Sequence, residues 1–110
     1  MNDQYYLARA QIIKAISHPS RLKMIEALAK GELCVCELRE IVGDDISTVS
    51  KHLSVMKSAG LVQDRKEGLQ VFYRSLCPCV ATFLKCIDDL IEVQKQKFVA
   101  CSKRRNKKQM

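Results

Sequence analysis

Two short amphipathic segments meet with almost no chain between them, and this constrains the fold more than any other feature. Residues 36–42 carry Leu38, Ile41 and Val42, and the segment stops at Gly43. The next opens at Asp45-Ile46-Ser47, carries Val49, Leu53 and Met56 at helical spacing, and stops at Gly60. Asp or Ser suits the N-cap of the second segment, where its oxygen accepts from an unpaired backbone N–H. Neither helix is long enough to be stable alone. Both must lay their apolar stripes on a shared core.

The flanking sequence supplies that core. Residues 5–16 place Tyr6, Leu7, Ala10, Ile13 and Ile16 on one stripe. A second helix is expected from Ser17-His18-Pro19-Ser20, with Pro at a first-turn position where no N–H is needed. Its inner face is Leu22, Ile25, Leu28 and Ala29, and Gly31 can take the left-handed end. After Gly60 the period changes. Residues 61–65 and 69–74 read as strands, and Lys66-Glu67-Gly68 reads as their turn. After Pro78 a last helix, about 79–97, carries Phe83, Leu84, Ile87, Leu90, Ile91 and Val93. The expected fold is mainly α with a small β-hairpin: a winged helix-turn-helix of order α-α-α-α-β-β-α. Residues 1–98 form its one domain, and 99–110 a basic, disordered tail.

Size and composition narrow the function. A chain of 110 residues is one domain and excludes a multi-domain enzyme. No paired carboxylates, nucleophile–base set or phosphate loop stands out, so no enzyme and no organic cofactor are expected. Aromatics are 5% with no Trp, which leaves the core to Leu, Ile, Val, Ala and Met. A chain this small buries only ~60–70% of its unfolded surface, so a partner subunit would help. The net charge of +7 is largely a property of residues 103–108, which hold five cations; without them 14 Lys and Arg face 12 Asp and Glu. The balance allows a polyanion partner. The tail itself reads equally as a source of non-specific DNA affinity and as a solvated end. The first ten residues lack the apolar core of a secretion signal, and no apolar run approaches ~18 residues. A cytoplasmic protein without membrane contact, with its thiols reduced, is expected.

A recognition surface is legible on the segment after Gly43. Ser47, Thr48, Ser50, Lys51 and His52 fall away from Val49, Leu53 and Met56, in the first turns of the helix. There a recognition helix presents its side chains to base edges in the major groove, and its hydroxyls and N–H groups to phosphate. Arg65, Lys66 and Gln70 surround the hairpin tip, in reach of phosphate or the minor groove. The plainer readings are a solvated helix face and an ordinary exposed hairpin. His52 has no Cys or carboxylate at helical spacing, which argues against a metal ligand.

The six cysteines carry the second signal. Cys34-Val35-Cys36 and Cys77-Pro78-Cys79 are C-x-C units. Residues two apart point about 200° apart on a helix and to one side on an extended chain. Cys34 and Cys36 therefore chelate together only where the start of their helix is extended or unwound. Pro78 already biases Cys77 away from helix. Soft thiolates select Zn, Cd, Pb and Cu(I) and, by the same softness, trivalent arsenic or antimony. Cys86, among Phe83, Ile87 and Leu90, reads more readily as a buried small apolar residue. Cys101, in the basic tail, reads as exposed and reactive.

Ala15-Ile-Ser-His-Pro-Ser-Arg-Leu-Lys-Met-Ile-Glu-Ala-Leu28 resembles the second-helix signature of the ArsR/SmtB family of winged-helix repressors. Glu32-Leu-Cys-Val-Cys-Glu-Leu38 resembles that family's metal box, and Ser47-Thr-Val-Ser-Lys-His-Leu53 its recognition helix. Lys57-Ser-Ala-Gly-Leu61 is similar to the family's segment just after that helix, and Arg65-Lys-Glu-Gly-Leu-Gln-Val-Phe-Tyr-Arg74 to the wing. The likeness covers about residues 7–76. It implies a homodimer joined through the terminal helices, which binds double-stranded operator DNA and is released by an effector. The Cys34/Cys36 box implies arsenite, As(III), as the leading effector, with Sb(III), Cd, Pb and Zn as alternatives. Arg39 stands where the arsenic-sensing box often has a third Cys, so a further ligand must come from Cys77, Cys79, Cys86 or Cys101. The N-terminal cysteines of the cadmium/lead branch are missing. The last helix has Asp88, Asp89 and Glu92 but no His, unlike the zinc branch. Outside metal sensing, the thiols allow a redox or persulfide switch at Cys77 and Cys79 or at Cys101. A thiol-rich metal buffer without a DNA role is disfavoured by the winged-helix pattern.

Overall fold

The computed structural model describes the backbone of residues 2–109 and the side chains of residues 2–97. The chain divides into two compact units, residues 1–79 and 80–110.

Among the described residues, the first unit holds four helices and a small sheet. Helix α1, Asp3–Ile16, starts on Asn2, whose side chain accepts from Tyr5 N–H. Helix α2, Pro19–Ala29, is capped by His18 and has Pro19 in its first turn. Strand β1, Leu33–Cys34, leads without a break into α3, Val35–Val42. Gly43 ends α3 with φ of 84°, a left-handed conformation that costs a side-chain-bearing residue energy. Its N–H donates to Arg39 C=O. Asp45 then caps α4, Ile46–Ser58, and accepts from Thr48 N–H at 2.9 Å. At the far end of α4, Leu61 N–H donates to Met56 C=O and Gly60 N–H to Lys57 C=O. This pair of bonds satisfies carbonyls the helix leaves open and turns the chain sharply into the sheet.

Strands β2, Val62–Glu67, and β3, Gln70–Ser75, form the antiparallel hairpin. Glu67 pairs with Gln70, so the loop is Gly68-Leu69, with φ of 61° at Gly68. The sequence places the turn at Lys66-Glu67-Gly68. The shift arises because the shortest hairpin loops put the residue with positive φ inside a two-residue turn. Leu69 stands fully exposed at the tip.

The sheet has three strands in the order β1-β3-β2. Leu33 pairs with Tyr73 and Cys34 with Phe72. Met24, Leu38, Val49, Leu53 and Met56 are the most deeply buried side chains, drawn from α2, α3 and α4. The turn between α3 and α4 is thus fixed from below by one shared core. On α1 only Ala15 and Ile16 are buried, whereas Tyr5, Tyr6, Leu7, Ile12 and Ile13 are exposed.

The second unit is α5, Val80–Gln109. The apolar pattern ends near residue 97, but no Gly or Pro follows Pro78 to stop the helix, and its backbone continues. Phe83, Ile87, Leu90 and Ile91 are exposed along it. No helix among the described residues is long and apolar enough to cross a membrane.

Candidate nucleic-acid interface and thiol sites

The exposed side of α4 carries most of the expected DNA-reading residues. Ser47, Ser50 and Lys51 are exposed and Thr48 is half-buried. Ser54, one turn beyond Ser50, is exposed on the same helix and carries no signal in the sequence that sets it apart. The first turn is already engaged with its cap. The Thr48 hydroxyl and backbone N–H, then Ser47, hold the Asp45 carboxyl below the usual carboxylate range. An arriving phosphate must therefore compete with a carboxylate for these donors.

His52 corrects the sequence reading. It is 7% exposed and belongs to the core face. At 100° per residue it lies roughly 60° from Val49, close enough to the apolar stripe to be covered. Its Nδ1 accepts from Arg21 Nε at 2.9 Å, and its ring lies 4.3 Å from that of His18. Arg21 also donates to Ala15 C=O, so this cluster ties the end of α1, the start of α2 and α4 together. Burial, then His18 and Arg21, push the His52 pKa down, and Asp44 opposes them. Its Nε2 is buried without a hydrogen-bond partner. His52 therefore joins α4 to α2 from the core side instead of lying on the exposed face expected from the sequence.

The hairpin also divides into two roles. Lys66 and Gln70 are exposed near the tip. Arg65 instead pairs with Glu32, Nε to Oε1 at 3.0 Å, and with Glu67, Nη1 to Oε2 at 2.6 Å, and lies 4.7 Å over the Phe72 ring. The Glu32 contact pushes the Arg65 pKa further up, with Glu67 adding to it. These contacts link the entry of β1 to the wing, and the guanidinium stays about half exposed.

The cysteines fall into separate places. Cys34 is buried, with φ of −81° and ψ of 164°, so the extended backbone that chelation requires is present at this residue. Cys36 is exposed in the first turn of α3, where it lines an open depression of about 490 Å³ with Arg39, Glu40, Gly43 and Asp44. One thiol faces in and the other faces out. Binding one ion to both requires the first turn of α3 to open. Glu37 Oε1 accepts from Cys34 N–H at 3.1 Å, and that N–H, then the Cys34 thiol, hold the Glu37 carboxyl low. This contact closes the first turn of α3 as one half of a capping box.

Cys77 and Cys79 are both exposed, and their sulfurs are 3.0 Å apart. Cys86 is exposed on α5, where the sequence favours a buried position. Its stretch of helix presents Phe83, Ile87 and Leu90 outward with it. Cys101 lies outside the residues whose side chains are described. Among the described residues no three His, Cys, Asp or Glu side chains are gathered into a metal site.

The comparisons with known proteins agree with this outline. A family model described as bacterial regulatory protein, arsR family, matches residues 18–64. The chain is 37% identical over 86 residues to an uncharacterised HTH-type transcriptional regulator of Methanocaldococcus jannaschii, covering 77% of this chain and 97% of that one. It is 32% identical over 96 residues to the arsenical resistance operon repressor of Escherichia coli, covering 86% of this chain and 82% of the relative. Among solved structures, it is similar to the homodimeric winged helix-turn-helix DNA-binding domain of a possible ArsR-family regulator from Mycobacterium bovis. The TM-score is 0.69 at 27% identity, covering 88% of this chain and 93% of that one. The chain belongs to the arsR family of bacterial regulatory proteins and is a non-enzymatic transcriptional repressor of ArsR/SmtB type.

Proposed function

We propose that the protein is a cytoplasmic homodimeric repressor that leaves its operator when arsenite, or chemically similar antimonite, binds the thiolates of Cys34 and Cys36. The observation that carries this reading is the position of Cys34. It pairs with Phe72 in the wing sheet and is the residue on which α3 begins. A ligand that draws Cys34 and Cys36 together pulls on the wing and on the helix-turn-helix at once. The resemblance of the box to arsenic-sensing members and the likeness to the Escherichia coli arsenical repressor favour trivalent arsenic. Two protein thiolates leave its third position to a further thiol or to solvent. Soft divalent ions such as Cd, Pb and Zn are the alternative effectors on the same donors.

Dimerisation fits the exposed apolar side chains of α1, Tyr5, Tyr6, Leu7, Ile12 and Ile13, and those of α5, Phe83, Ile87, Leu90 and Ile91. A solvated monomer rarely leaves so many uncovered. A two-fold dimer sets two copies of α4 one helical turn of DNA apart, and Ser47, Thr48, Ser50, Lys51, Lys66 and Gln70 are the residues assigned to DNA contact. An effector coupling of ~1–3 kcal/mol, or 5–150-fold in affinity, is ordinary for such a switch.

The test is fluorescence anisotropy of reduced protein on its own promoter, with arsenite, Cd and Zn titrated anaerobically. Arsenite releases the wild type and the Cys77→Ser variant, whereas Cys34→Ser and Cys36→Ser stay bound. Indifference of the wild type to every ion, with release on oxidation alone, overturns the metalloid reading in favour of a thiol redox switch.

A further inference from the structure

Cys77 and Cys79 are the one pair of cysteine sulfurs found in contact among the described residues, and the release proposed at Cys34 and Cys36 is expected to survive loss of Cys77. Two thiolates bound to one soft centre at ~2.3 Å each sit about 3–4 Å apart. The observed 3.0 Å separation is already at the edge of that bite. Pro78 fixes its own φ and keeps Cys77 out of helical conformation, so part of the ordering cost of chelation is met before any ligand arrives. The Cys77 N–H donates to Ser75 Oγ at 3.3 Å, which anchors the pair to the end of β3. The nearby Cys77 sulfur pushes the Cys79 thiol pKa up.

Among the described residues, no third Cys, His, Asp or Glu joins this pair to make a metal site. That selects the ligand. Arsenite held by two thiolates keeps an exchangeable oxygen at its third position and a tetrahedral metal asks for four donors, whereas a trivalent arsenical already carrying one carbon substituent is saturated by two thiolates.

We propose that Cys77 and Cys79 form a second thiol site, separate from Cys34 and Cys36, which captures monosubstituted trivalent arsenicals as a bidentate dithiolate. Each sulfur gives up its proton as it bonds to arsenic, two As–S bonds replace the arsenic–oxygen bond, and the oxygen leaves as water. Arsenic stays trivalent, so no oxidant or reductant is needed. The ring closes through Pro78 and ties the end of the wing's last strand to the residue that precedes α5.

The test uses phenylarsine oxide on the full, reduced chain under anaerobic conditions, read by intact mass and by mapping the modified peptide. The expected result is one tightly held adduct per chain that consumes two thiols, lies on the peptide containing Cys77 and Cys79, resists excess monothiol and is removed by a dithiol. Cys77→Ser and Cys79→Ser each abolish it, and because both positions are exposed neither substitution disturbs the core. Cys34→Ser, Cys36→Ser, Cys86→Ser and Cys101→Ser retain it. A two-thiol adduct that survives in Cys77→Ser, or that maps to Cys34 and Cys36, overturns the proposal. The readout is mass and not DNA release, so this site and the repressor reading stand or fall separately.

Discussion

His52 shows how a single residue type can mislead. Its polarity and its place in a helix that resembles a recognition helix suggest a base contact. The structure instead buries it and satisfies Nδ1 with Arg21, 31 residues earlier in the chain. No local pattern reports a partner at that distance, although its angular closeness to Val49 was a usable signal. Burial also sets its titration. The folded protein favours neutral His52, so the unfolded chain binds that proton more readily and stability rises with pH between the two pKa values. The midpoint of thermal unfolding should therefore fall as pH drops through about 6.5 and level off below the depressed folded value. His52→Gln should flatten this dependence. A wild type whose unfolding midpoint is unchanged from pH 8 to 5 contradicts a neutral, buried His52.

At the scale of elements, helices and hairpin were legible because each has a period and a stop. Gly43 and Gly60 end α3 and α4, and the change from helical to alternating pattern marks the wing. Gly43 carries a sharp expectation. With φ of 84°, any side chain there is strained, so Gly43→Ala should destabilise by about 1 kcal/mol or more in urea unfolding. A change within a few tenths contradicts the capping role. Strand β1 was not legible. Two residues, Leu33 and Cys34, cannot show a period, and their extended form is imposed by pairing with Tyr73 and Phe72 across about forty residues of chain. The clamp between Glu32 and Arg65 is hidden for the same reason: each looks like an ordinary surface charge until the sheet brings them together. That missed strand is also what gives the thiol box its reach, because it makes Cys34 part of the wing as well as the first residue before α3.

For the whole molecule, the cysteine spacing told more about chemistry than about place. The need for extended backbone at a C-x-C unit is met at Cys34, while Cys36 stays in the first turn of α3, closed by the Glu37 contact. On the proposed reading this structure is the effector-free form of a switch, in which α3 is intact and α4 is held by its core face. Occupying both thiols has to trade that first turn for metal–sulfur bonds. The two DNA-reading helices of a dimer would then move, and operator half-sites with fixed spacing would no longer fit both. The most direct test is the separation of the two α4 helices in solution. Spin labels would be attached through a ketone-bearing residue in place of exposed Ser58, so that every thiol stays free, and pulsed dipolar distances compared before and after arsenite. The distribution should shift on arsenite in the wild-type background and stay fixed in Cys34→Ser. An unchanged distance in a dimer shown by mass to hold arsenic on Cys34 and Cys36 would contradict the mechanism.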